Sequence, residues 1–104
     1  MNQRIEKIKD FLRQSPDDCF LNHALALEYI KLGNEAAAKE LFEKNLKNDP
    51  DYIATYYHLG KLKERQGKEP EAIALYETGM EKAKTAGDNH SYNELQAAYQ
   101  DLAY

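Results

Sequence analysis

The chain repeats itself at an interval of 34 residues, and that interval limits what it can fold into more than any other feature. Ser15, Pro16 and Asp17 return as Asp49, Pro50 and Asp51. Leu25 recurs as Leu59, Gly33 as Gly67, Ala38 as Ala72, Leu41 as Leu75, and Phe42 as Tyr76. A fixed period of this length marks a stack of supersecondary units, each burying its apolar face against its neighbours. Within a period the apolar spacing is helical. Leu21, Leu25, Tyr29 and Leu32 fall on one helix face, and Ala37, Ala38, Leu41, Phe42 and Leu46 on another. No stretch alternates as a strand would, so the period predicts an all-α chain built from helix pairs.

Punctuation refines this. Ser15 and Asp49 can accept bonds from free helix-start amides, and the proline after each has no amide to leave unpaired. The reading places helices over about Pro16 to Leu32 and Pro50 to Gln66. Gly33 and Gly67 suit left-handed C-terminal caps. Asn34 then caps a helix reaching about Lys47, and Pro70 lies near the first turn of its counterpart, which reaches about Lys84. Ile5, Ile8, Phe11 and Leu12 form the second helix of a half unit that precedes the first proline. After Gly87, the possible caps Asp88 and Asn89, a capping box at Ser91 and Glu94, and apolar Tyr92, Leu95, Ala98, Tyr99 and Leu102 predict a sixth helix. The expected boundaries are a half unit at 1–15, a first repeat at 16–49, a second at 50–86 and a capping helix at 87–104, all in one domain.

Several function classes are disfavoured by composition. Fourteen basic and eighteen acidic residues give a formal charge of -4, without the basic excess that a phosphate backbone demands. Nucleic acid is not expected as a partner. The N-terminus lacks the apolar core of a signal peptide, and no run approaches the roughly 20 apolar residues that span a bilayer. A soluble cytoplasmic protein without a membrane partner is expected. Cys19 is the only cysteine, and His23, His58 and His90 lack metal-ligand spacing, although His23 and His58 could face one another from neighbouring helices. There is no glycine-rich phosphate loop, and no motif assembles a nucleophile, a base and an orienting acid. Neither metal nor cofactor is expected, and the chain does not read as an enzyme.

On these residues the chain resembles the tetratricopeptide repeat family, whose pattern is W-x2-L-G-x2-Y, then A-x3-F, then P. The first unit matches through Leu25, Ala26, Tyr29, Ala38, Phe42 and Pro50, with Asn22 in place of the tryptophan. Tyr56, Leu59, Gly60, Ala72 and Tyr76 carry the match in the second, with Lys63 replacing the tyrosine and Lys84 the proline. The resemblance implies a right-handed α-solenoid of antiparallel helix pairs, about six helices in all. Small Ala26, Gly60, Ala38 and Ala72 would let backbones approach, while Leu25, Leu59, Phe42 and Tyr76 fill the space between them.

In this family the first helix of each pair lines an inner groove. The resemblance therefore implies a lining of Phe20, His23, Leu27 and Lys31 from one helix and Ala54, Tyr57, His58, Lys61 and Arg65 from the next. Three cations there would reverse the sign of an acidic protein. The implied function is an adaptor or scaffold that holds an acidic peptide with an apolar or aromatic anchor. The two-carboxylate clamp of a known subset is not matched, because His23, Leu27 and His58 occupy its positions. A second reading has the chain self-assembling, or joining a larger complex, through Tyr92, Tyr99, Leu102 and Tyr104 of its last helix. A polar cap is the simpler use of that helix, so a monomer is expected rather than a homodimer.

Overall fold

A computed structural model describes residues 2–104. Six helices follow one another: α1 Gln3–Gln14, α2 Cys19–Lys31, α3 Glu35–Asn48, α4 Ile53–Arg65, α5 Glu69–Ala86 and α6 Asn89–Ala103. No strand occurs among the described residues, and the fold is all-α, of the helical-repeat class. The chain divides into two compact units, Met1–Pro50 and Asp51–Tyr104. No helix among the described residues is long and apolar enough to cross a membrane.

The proline turns end helices instead of starting them. Ser15 and Asp49 are the C-caps of α1 and α3, and their amides donate to the carbonyls of Phe11 and Asn45. A residue before proline is pushed out of the helical region, and both caps accordingly lie outside it, with φ of -137° and -145°. The helices then begin three residues after each proline. Asp18 caps α2 by accepting from the Leu21 amide at 2.9 Å, whereas Tyr52 caps α4 with no side-chain bond.

Other stops and starts fall where backbone rules put them. Gly33, Gly67 and Gly87 have φ of +79°, +75° and +71°. Each lets the next amide reach back to a helix carbonyl: Asn34 to Tyr29, Lys68 to Lys63 and Asp88 to Ala83, all at 2.9 Å. Asn34 caps α3 through the Ala37 amide. The cap of α6 is Asp88, one of the two expected caps and three residues before the expected box at Ser91. Asp88 accepts from the Ser91 amide at 3.0 Å and from its hydroxyl at 2.7 Å. These bonds, the backbone one first, hold the Asp88 carboxyl below its usual pKa.

In the first unit, Ile5 and Ile8 of α1 pack on Leu25 of α2, with Leu12, Leu21, Ala24, Tyr29 and Leu41 around them. Ala26, Ala38 and Phe42 are fully buried. Phe11, expected on the apolar stripe of α1, is instead 62% exposed. The second unit buries Tyr56, Leu59, Leu62, Ala72, Tyr76, Ala83, Leu95 and Ala98. Its helices meet over glycine. A Cβ on Gly60 would stand 2.3 Å from the Tyr76 ring, and one on Gly79 would stand 2.8 Å from Tyr56 Cβ and 3.0 Å from Leu95.

Candidate binding surfaces

The nine residues expected to line one groove divide between the two units, four in the first and five in the second. In the first, Phe20, Ala24, Leu27 and Lys31 recur at intervals of four, three and four, which sets them in one row along α2. Phe20 is 69% exposed, an unusual state for a phenylalanine. Together with Arg4 of α1, His23 and Glu28, the row borders a hollow of about 260 Å³. His23 is largely buried, its ring tilted against Phe42 with centroids 5.4 Å apart.

Part of the hollow's border is a charge cluster that the sequence pattern did not suggest. The Glu28 side chain is 8% exposed, and its Oε2 receives both Arg4 Nε at 3.2 Å and Lys31 Nζ at 3.1 Å. The Lys31 hydrogen bond, then the charges of Lys31 and Arg4, hold the Glu28 carboxyl below its usual pKa against the opposing effect of burial. Arg4 escaped notice because it comes from the neighbouring helix. Glu28 escaped because a carboxylate on a helix is usually solvated.

The row in the second unit has another character. Ala54 and Arg65 are exposed, while Tyr57, His58 and Lys61 are half-buried. Tyr57 meets His58 edge-on at 5.3 Å and lies 6.5 Å from Tyr76. Lys61 Nζ stands 5.7 Å above the Tyr57 ring and 3.5 Å from Glu64. Glu64 in turn accepts from the Tyr76 hydroxyl. Burial first, then that bond, pushes Tyr76 far above the usual tyrosine range. Burial also lowers the His58 pKa, with Arg65 adding to the effect and Glu94 of α6 opposing it. Lys61 is thus tied to its own helix, and Tyr57 is a ring already packed on one side. At the position where the repeat pattern has tyrosine, Lys63 is buried and pairs with Glu71 of α5 at 3.0 Å.

His23 and His58 belong to different units, and no group of three metal-ligating side chains occurs among the described residues. Cys19 opens α2, where its carbonyl accepts from Asn45 Nδ2 at 2.9 Å. Burial first, then Asp49, Asp18 and Asp17, raises the pKa of its thiol.

Known proteins share this architecture. A sequence model described as tetratricopeptide repeat matches residues 21–52. The crystal structure of a tetratricopeptide repeat domain protein from Salinibacter ruber is 44% identical, covering 82% of this chain and 94% of its own, with a TM-score of 0.79. A Bordetella parapertussis protein, solved in solution, is 29% identical over 99% of this chain and 90% of its own, with a TM-score of 0.83. A TPR repeat-containing protein of Pseudomonas aeruginosa is 29% identical over 91 residues, 88% of this chain and 87% of that one. With the 34-residue period, the glycine-ended helices and these likenesses in agreement, the chain belongs to the tetratricopeptide repeat family.

Proposed function

We propose that the chain is a non-catalytic cytoplasmic adaptor that binds a peptide or protein segment along the first-helix rows of its repeats, on α2 and on α4. The family is one of protein-interaction modules, which supports the general class. The observation that carries the location is Phe20. A phenylalanine 69% exposed beside a hollow of about 260 Å³ is apolar surface that a bound side chain would cover. On α4 the contribution is smaller, since Tyr57 already leans on Tyr76 and His58. The preferred ligand carries an apolar or aromatic residue and acidic character, because Arg4 and Lys31 outnumber Glu28 around the hollow.

Comparative capture tests this reading. Wild-type protein and a Phe20→Ser/Tyr57→Ala variant, matched in helicity by circular dichroism, are each exposed to native cytosol and their bound proteins quantified. Proteins retained by the wild type should be depleted at least about tenfold by the variant, the result of losing roughly 1.4 kcal/mol. Equal retention by a folded variant would place binding elsewhere on the protein.

A further inference from the structure

The charge cluster bordering the α2 hollow sets two exposed cations on one carboxylate. Two cations converge on one oxygen of one carboxylate, Arg4 Nε at 3.2 Å and Lys31 Nζ at 3.1 Å from Glu28 Oε2. The carboxylate side chain is 8% exposed, and the cations are 68% and 70% exposed. Two positive charges against one negative leave a net positive charge at the mouth of the hollow. The donors are also not used up. Arg4 engages Glu28 through Nε, which leaves its two terminal amino groups, and Lys31 has three donors. Glu28 draws both cations toward a common point, which reduces the side-chain entropy that an incoming anion would otherwise have to remove.

The apolar end is at the other end of the row. Phe20 lies eight residues before Glu28, a rise of about 12 Å along α2, with Ala24 and Leu27 between them. An extended peptide advances about 3.3 Å per residue, so side chains four positions apart reach both ends.

We infer that the Arg4–Glu28–Lys31 cluster is a carboxylate-binding site, which takes the acidic side chain of an extended peptide whose apolar or aromatic residue, four positions away, rests on Phe20. The ligand carboxylate bridges the free donors of Arg4 and Lys31, and Glu28 holds those donors in place while limiting the site to one negative charge. This rests on the proposed peptide binding by α2 and adds its specificity. The site belongs to the first unit only. Thirty-four residues on, Glu28 is replaced by Leu62, which is fully buried.

Amide chemical-shift titration of the full chain tests the inference with defined probes. The first is a pentapeptide blocked at both ends, with phenylalanine first, glutamate fifth and three small residues between. In the second, glutamine replaces glutamate, and in the third the glutamine peptide keeps a free terminal carboxylate. The glutamate peptide should shift amides along Phe20, Ala24, Leu27 and Lys31 and bind about tenfold more tightly than the glutamine peptide, in line with a charged hydrogen bond. Arg4→Gln/Lys31→Gln should reduce that ratio to about one; both side chains are exposed, and the glutamine amides can still donate to Glu28. Glu28→Gln, whose amide oxygen can still accept from both cations, should keep glutamate binding and admit a phosphoserine peptide that the wild type disfavours.

Equal binding of the two blocked peptides on the α2 row overturns the carboxylate site and leaves the groove reading standing. Loss of glutamate binding in Glu28→Gln also overturns it. Tighter binding of the free-acid peptide than of the glutamate peptide overturns the assignment to a side chain. If no peptide shifts the α2 row at about 5 mM, a concentration that would reveal even weak millimolar binding, the groove reading fails and takes this inference with it.

Discussion

The two repeats solve one packing problem by different chemistry. At matching positions the first repeat has His23 against Phe42 at 5.4 Å, and the second has Tyr57 against Tyr76 at 6.5 Å. Below these rings the first repeat has Ala26 and the second Gly60, into which the Tyr76 ring presses. Asn45 ties the first repeat together through the Cys19 carbonyl, whereas Gly79, its equivalent, simply allows Tyr56 and Leu95 to close in. Buried Glu28 corresponds to buried Leu62, and half-buried Tyr29 to buried Lys63. The period thus dictates which positions are inside. It does not dictate whether polar bonds or close apolar contact fill them.

The sharpest break in this comparison comes from removing the central ring of each repeat. Phe42→Ala and Tyr76→Ala should each cost about 3–5 kcal/mol, a large share of the stability of a small domain. Chemical denaturation would show whether both losses fall in that range. A loss under about 1 kcal/mol for either would mean its repeat does not close around that ring.

Exchanging the small residues is a finer test. Gly60→Ala should destabilise by about 1–3 kcal/mol through overpacking against Tyr76, reduced by up to about 1 kcal/mol from better helix propensity. Ala26→Gly should also destabilise, by about 0.5–1 kcal/mol, because glycine loosens a helix. A loss in Gly60→Ala would establish that this position is matched to the Tyr76 ring. A higher melting temperature for Gly60→Ala would show instead that Tyr76 moves aside freely.

The smallest effect is one of pH and concerns His58 of the second repeat. His58 has a folded pKa below its unfolded value near 6.5, so the unfolded chain binds the proton more readily. Its contribution is complete above about pH 6.5 and disappears as pH falls through the folded pKa. Glu28 is also depressed, so its contribution is present above the usual glutamate pKa near 4.3 and is lost at lower pH. Between these values the second unit should lose the part of its stability that depends on a neutral His58. Hydrogen exchange at α4 and α2 amides, with His58→Gln as reference, would read the difference. Equal pH slopes for wild type and variant would remove His58 from the account.

The fold was legible to the extent that it follows from backbone rules. Six helices, the left-handed glycine stops at Gly33 and Gly67 and the buried small residues Ala26, Ala38, Gly60 and Ala72 all follow from period and φ, whereas the left-handed stop at Gly87 was not anticipated. The starts of α2 and α4 were misplaced because proline acts on the residue before it more strongly than Ser15 or Asp49 acts as a cap. Gly79 was passed over, since a helical glycine looks weak until Leu95 arrives from α6. On the α2 row, Phe20, Leu27 and Lys31 follow from helical spacing, but Arg4 joins them only through the packing of α1 on α2. The environment of Lys63 depends on Glu71 from another helix, which no spacing rule relates to it.

Cys19 leads to a consequence of a different kind. Alkylation, mixed-disulfide formation and the first steps of oxidation all proceed through the thiolate. A half-buried thiol whose deprotonation is opposed by burial and by Asp49, Asp18 and Asp17 holds little thiolate at neutral pH. The lone thiol of this chain is therefore slow to age. Electrophiles and peroxide should modify it at a rate set by opening of the α2 start, which makes its reactivity a clock for local fraying of that helix.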